Sequence, residues 1–233
     1  MVLSNHVRTM AHYEIEIKSL LGEAANAEAL KVAMAKRDTA FLHTSSNAQL
    51  NHYFAGGNME ELVRVVTPLF APDRLSKLHM IAQKGQDFSV RTRQRDDEVL
   101  LVVKASVDAG TSENTIARLE FEEAVDSTLE ELDAQVQTAG FTYQAKWSRE
   151  REEYAYNGLN VSIDYNAGYG YLAEFEKIVT DEVDVPAAKA EIEAQMQALG
   201  VKELDQARLG RMFEHYNVHW RDYYGTTNTF VVE

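Results

Sequence analysis

The chain of 233 residues contains no cysteine. That excludes disulfides, thiolate nucleophiles and zinc–thiolate centres, and it fits a reducing cytoplasm, the expected location. Basic residues are scarce as well: 23 Lys and Arg stand against 37 Asp and Glu, a formal net charge of -14. A general nucleic-acid binder needs a basic surface, so this balance argues against one. It does not exclude a small polyanion held in a local basic pocket. No run of ~18 apolar residues occurs, so no membrane-spanning helix is expected. The first ten residues carry His6 and Arg8 but no apolar core. They do not read as a secretory signal, and a loose lead is expected there. No internal repeat or low-complexity segment interrupts the chain, and self-association into a homodimer is left open.

What is present is alternation. Tyr13-Glu14-Ile15-Glu16-Ile17-Lys18 has the period of a β-strand, with Glu14, Glu16 and Lys18 on one face and Ile15 and Ile17 on the other. A helix is expected over Ala24 to Arg37, capped by Asn26. Short strands follow at Thr39 to His43 and Gln49 to Phe54. Helical patterns at Asn58 to Leu69 and Pro72 to Gln83 read as an insertion over residues 58–83. Phe88 to Arg95 and Val99 to Ala105 form an expected hairpin around Asp96-Asp97, with Arg91, Arg93 and Arg95 on one face. Thr111 to Asn114 is a polar loop, and Thr115 to Glu123 a strand. Ser127 with Glu130 suggests a capping box for a helix that Gly140 ends. Phe141 to Tyr156 and Leu159 to Tyr165 flank Asn157-Gly158, the strongest hairpin signal in the chain. Tyr169 to Val179 is the last strand. Pro186 opens a helix ending near Gly200, and a helical pair is expected within Leu204 to Tyr224, before a loose tail.

The charged strand positions cluster by sign: Glu14 and Glu16, Arg91 and Arg93, Glu120 and Glu122, Arg149 and Arg151, Glu174 and Glu176. Alternation alone leaves two placements open, a solvated outer face or an inner one. The helices need an apolar surface, and the strands offer only the face opposite the charges. Helices outside put the charges inside, where bare charge is costly unless it meets water, metal or anion. Arginine forks match phosphate oxygens, and carboxylates suit hard divalent cations such as Mg²⁺ or Mn²⁺. Other features are discounted. Gly168-x-Gly170 leads into a strand and reads as a turn; His215 and His219 lack a nearby third ligand and read as packing or surface residues.

The ordered motifs resemble the CYTH superfamily, the triphosphate tunnel metalloenzymes. Glu14-Ile-Glu16-Ile-Lys18 is similar to the family's N-terminal Glu-x-Glu-x-Lys. Gln49-Leu-Asn51-His-Tyr53-Phe54 resembles its second strand block, and Arg91-Thr-Arg93 its paired arginines. Lys104, Arg118-Leu-Glu120-Phe-Glu122, Asp164 and Glu174-Phe-Glu176 follow in the family's order. The resemblance implies an α+β fold: a closed antiparallel β-barrel of about eight strands, a tunnel, with helices packed outside. It implies one domain over residues 11–224, with C-terminal helices over 186–224.

It also implies roles. Glu14, Glu16, Asp164, Glu174 and Glu176 would bind one or two metals, Mg²⁺ or Mn²⁺. Lys18, Arg91, Arg93, Lys104, Arg118, Arg149 and Arg151 would cradle a small-molecule triphosphate. Glu14, Glu16, Lys18, Glu120, Glu122 and Arg151 would form the catalytic set. Three departures stand out: Asn51 where the family usually has Asp, Arg149-x-Arg151 where it often has Lys-x-Arg, and a helical insertion from Asn58 to Gln83 longer than in compact members. The expected activity is metal-dependent triphosphate hydrolysis. A class IV adenylyl cyclase, or a binding protein without turnover, would use the same grip.

Overall fold

The computed structural model describes residues 13–106 and 118–232, and the side chains of Tyr13, Glu14, Arg118 and Glu182 lie outside that description. The polar loop expected at Thr111 to Asn114, and the strand start at Thr115, fall outside it too.

Eight strands form one antiparallel sheet: β1 (Tyr13–Gly22), β2 (Leu42–Gly56), β3 (Gln86–Arg95), β4 (Glu98–Ser106), β5 (Arg118–Val125), β6 (Phe141–Tyr156), β7 (Leu159–Asn166) and β8 (Gly170–Val179). Their spatial order is β1-β8-β7-β6-β2-β3-β4-β5. Asn157 and Gly158, with φ of 45° and 77°, make the tight β6–β7 turn in the twist that suits a hairpin.

Six α-helices among the described residues complete the α+β fold: α1 (Ala24–Arg37), α2 (Met59–Val66), α3 (Ser76–Lys84), α4 (Leu129–Thr138), α5 (Val185–Leu199) and α6 (Gln206–Tyr223). Period-two alternation places apolar side chains on one sheet face. There α2, α3 and α4 bring Leu62, Ile81 and Leu132 against Val90, Leu101, Val103 and Phe121. Around the other half, α1 and α5 bring Leu30, Met34 and Ile192 against Ile17, Ile163 and Phe175. Each side chain buried this fully contributes about 1.5–3 kcal/mol. The opposite, charged face is also shielded: Gln49, Asn51, Arg93, Ser162 and Asp164 are all buried. Among the described residues no helix packs over its centre, so the sheet's own curvature provides the cover, as in a tunnel.

Local structure departs from the sequence expectations in five places. The two short strands are one, β2, because the polar run Ser45 to Asn47 keeps pairing with β6. Asn26 does not cap α1; its Nδ2 donates to the Leu21 carbonyl at 2.7 Å. The capping box on α4 is Thr128 with Glu131, one residue later than expected. The expected helical pair is the single helix α6, capped by Asp205. The tail folds back: Thr229 bridges to Gly168, and Phe230 packs against Tyr169.

Candidate active site

Strand register decides which side chains meet. In the β1–β8 ladder Glu16 faces Glu176 and Lys18 faces Glu174. Glu174 faces Ser162 on β7, and Asp164 faces Arg151 on β6. Arg149 faces Gln49 on β2, and Asn51 and Tyr53 face Arg93 and Arg91 on β3. Arg91 faces Val102 on β4, while Lys104 and Val102 face Glu120 and Glu122 on β5. Directly opposed residues share a sheet face. The structure therefore brings Glu16, Lys18, Arg91, Arg93, Lys104, Glu120, Glu122, Arg149, Arg151, Asp164, Glu174 and Glu176 onto one inner face. Glu14 holds the strand position opposite Ile178 and Arg118 the position opposite Ser106. Their side chains are outside the described set. Lys146 sits on the other face, beneath the Tyr143 ring.

The inner charges neutralise one another in a chain. Asp164 is 1% exposed. Arg151 Nε donates to its Oδ1 at 2.6 Å and Nη2 to its Oδ2 at 2.7 Å, while Arg149 Nη1 adds a bond of 2.8 Å. Arg151 Nη2 also reaches Glu174 at 2.6 Å. Lys18 bridges Glu174, at 3.2 Å, and Glu16. Arg93 donates to Asn51 Oδ1 at 2.7 Å and to Glu122 at 3.0 Å. Lys104 pairs with Glu120 at 3.0 Å. Burial alone would raise the Glu174 pKa, but the charges of Lys18, Arg151 and Arg149 outweigh it and hold that carboxyl far below the usual range. Arg93 is pulled below its ordinary value, chiefly by burial and further by Arg149 and Arg91, against the pull of Glu122. Here the Asn51 departure has a physical consequence. It accepts the Arg93 hydrogen bond and contributes no negative charge, so Arg93 keeps more of its field for another anion.

The two ends of the face differ. At one, Asn47, Arg95, Glu98 and Glu153 help line a cavity of about 760 Å³. At the other, the same face turns apolar at Leu20, Ala145, Trp147 and Leu172, and α6 packs there with Met212 and Tyr216. The Tyr216 ring stacks on Trp147 at 3.6 Å. Sequence reasoning left two neighbours out of the site. Arg95 continues the Arg91, Arg93 alternation and bonds Glu98 and Glu122 at 2.6 and 3.4 Å, so its signal was present. Tyr53 stood in the second strand block, in phase with Gln49 and Asn51, but nothing there pointed to a role; its ring lies 4.5 Å from the Arg91 guanidinium. Burial opposes ionisation of its phenol, but Arg91, Arg149 and Arg93 bring it below its ordinary value.

The family model described as the CYTH domain matches residues 78–210, more than half of the chain. The chain belongs to the CYTH family. The matched span runs from α3 into α6 and so includes the arginine pair, Lys104, Asp164, Glu174 and Glu176; Glu16 and Lys18 precede it. CYTH proteins are triphosphatases or cyclases and depend on divalent metals, which places this chain among enzymes of triphosphate chemistry.

Solved structures resemble the fold. A conserved hypothetical protein of Pyrococcus furiosus aligns with TM-score 0.57 at 19% identity, covering 82% of this chain and 92% of that one. A Pyrococcus horikoshii protein gives a TM-score of 0.57 and 19% identity over 82% and 92% of the two chains. A Vibrio parahaemolyticus protein provisionally named an adenylate cyclase gives 0.54 and 14% over 85% and 98%. At these identities the likeness is one of fold. No curated protein sequence matches the chain significantly.

The inner carboxylates fit a hard divalent cation by chemistry: Glu16, Glu174 and Glu176 are oxygen donors on two hydrogen-bonded strands, with Glu16 opposite Glu176. Among the described residues no three acidic or histidine side chains converge as a ready-made cage. Glu16 and Glu174 are instead held by Lys18, so a cation would take over carboxylates that Lys18 now neutralises. Among the described helices none is long and apolar enough to cross a membrane.

Proposed function

We propose that this CYTH protein hydrolyses the terminal phosphoanhydride of a small-molecule triphosphate with Mg²⁺ or Mn²⁺. The observation that carries the reading is the continuous inner face on which arginine forks adjoin a carboxylate-bearing strand pair. Glu16, Glu174 and Glu176, with Glu14 at the neighbouring strand position, would hold the metal. When bound, it supplies Lewis-acid polarisation of phosphoryl oxygens and neutralises charge as the anhydride breaks.

The chain's own residues supply the rest. Arg91, Arg93, Arg149 and Arg151 present planar forks that match phosphate oxygens, and Lys18 and Lys104 add point charge. Without substrate these cations are largely paired with Glu16, Glu120, Glu122, Asp164 and Glu174. A triphosphate competes for them with more charge per oxygen cluster than one carboxylate. As the cations turn to the phosphates, Glu120 and Glu122 are released to accept a hydrogen bond from the attacking water. Water adds to the terminal phosphorus in line, the bond to the bridging oxygen breaks, and the guanidiniums stabilise charge on the departing diphosphate.

The test is product analysis. The protein is incubated with Mg²⁺ or Mn²⁺ and, separately, tripolyphosphate, ATP and thiamine triphosphate. Release of inorganic phosphate supports hydrolysis. Cyclic AMP with pyrophosphate from ATP would replace it by cyclisation, and tight binding without product by a non-catalytic role.

A further inference from the structure

Behind the arginine pair, on the outer face of the same strands, lies a buried polar cluster that the proposed chemistry does not use. Asp133 of α4 is 3% exposed. Its Oδ1 accepts from the Thr92 hydroxyl at 2.5 Å, and its Oδ2 accepts from His52 Nδ1 at 2.7 Å and from the Tyr143 hydroxyl at 2.5 Å. On its other side, His52 Nε2 and the Tyr224 hydroxyl form a hydrogen bond of 2.7 Å. Lys146 Nζ stands 4.0 Å from the carboxylate. One helix side chain thus ties together β2, β3 and β6, three adjacent strands at the centre of the sheet. Burial would push Asp133 toward its neutral form, but the hydrogen bonds from His52, Thr92 and Tyr143 keep its pKa below the ordinary value.

The placement on β3 gives this cluster its meaning. Thr92 is fully buried and lies between Arg91 and Arg93 in sequence, so its outward hydroxyl and their inward guanidiniums share one short piece of backbone. Arg93 is also fixed from inside by Asn51 and Glu122. Among the described residues Arg91 has less to hold it: Nε donates to Ser89 Oγ at 3.1 Å and its guanidinium lies over Tyr53. Its aim depends chiefly on where the β3 backbone sits.

We propose that Asp133, through its hydrogen bond to Thr92, is a positioning residue for the paired arginines, anchoring β3 to α4 so that Arg91 stays directed at the bound anion. The inference rests on the phosphate-binding reading of the inner face. Thr92→Val removes the donor at nearly constant volume and leaves the His52 and Tyr143 bonds in place; Thr92→Ser restores the hydroxyl.

Two measurements on the full chain test it. Calorimetry reads tripolyphosphate affinity without metal, so turnover does not enter. NMR reads the Arg91 Nε–Hε signal, assigned from Arg91→Lys. Thr92→Val is expected to shift or broaden the Arg91 signal and weaken affinity about tenfold, the scale of one weakened charge-assisted hydrogen bond. Thr92→Ser is expected to stay close to wild type in both. An unmoved Arg91 signal, unchanged affinity in Thr92→Val, or a Thr92→Ser protein as weak as Thr92→Val overturns the inference. A wild type that binds no tripolyphosphate, with the Arg91 shift still seen in Thr92→Val, overturns the phosphate-binding reading instead.

Discussion

Replacing Asp164 by Asn perturbs the inner face at its most enclosed charge. The carboxylate is 1% exposed and receives three guanidinium hydrogen bonds, two of them as a fork from Arg151. An Asn of the same shape accepts with one atom only and turns N–H groups toward a guanidinium. Removing one partner of a buried ion pair costs about 3–5 kcal/mol. The lower end applies, because Arg151 keeps Glu174 at 2.6 Å and Arg149 keeps Gln49 at 2.8 Å. For a chain of this size, about 3 kcal/mol lowers Tm by about 6–12 °C. Thermal unfolding by circular dichroism measures it. Adding tripolyphosphate should raise the variant's Tm by more than the wild type's, because the freed forks meet a new anion. A loss within about 1 kcal/mol, the range of an exposed pair, would refute the view that these arginines are held by a buried carboxylate.

Other perturbations have equally definite outcomes. Glu174 has a depressed folded-state pKa, so its stabilisation is present above the unfolded value of about 4.3 and fades as pH falls below it; Glu174→Gln should flatten the acid limb of a Tm–pH curve, and an unchanged limb would count against the pairing. Gly170 has φ +69°, and a Cβ there would lie 2.3 Å from the Gly22 carbonyl oxygen, so Gly170→Ala should cost about 2 kcal/mol or more in urea unfolding. Thr128→Ala should cost about 1 kcal/mol by removing the α4 cap, while Ser127→Ala should change the urea midpoint less.

The side of the sheet on which each charge lies was legible because strand period is fixed at two. Once Ile15 and Ile17 must face helices, Glu16 and Lys18 face inward, and the same logic carries Arg91, Arg93, Glu174 and Glu176. Turn chemistry was legible for the same local reason at Asn157-Gly158. Elements whose boundaries depend on distant partners were not. Ser45 to Asn47 look like a break, yet they continue β2 because Glu152, Glu153 and Arg151 of β6 pair with them. The helical pair expected within Leu204 to Tyr224 is the single helix α6, and Gly210 inside it faces open space, where a missing side chain costs no packing. The capping box slipped by one residue because Ser127 and Thr128 each have a Glu three residues on.

The rest of the site's support is long-range. Asp133 lies 81 residues from His52 and 41 from Thr92, and no spacing rule joins them. Tyr53 meets Arg91 only through strand register, and Tyr216 meets Trp147 only because α6 crosses one end of the sheet. Which cations pair with which carboxylates is likewise set by strand register, as for Lys18 with Glu174, Arg151 with Asp164 and Lys104 with Glu120.

Phosphate release from tripolyphosphate with Mg²⁺, measured side by side for the wild type and Glu16→Ala, tests the central claim most directly. The wild type is expected to show metal-dependent release that chelation abolishes, and a Glu16→Ala protein that melts like the wild type none above background. Near-wild-type release from Glu16→Ala, or release by the wild type that persists after chelation, would contradict it.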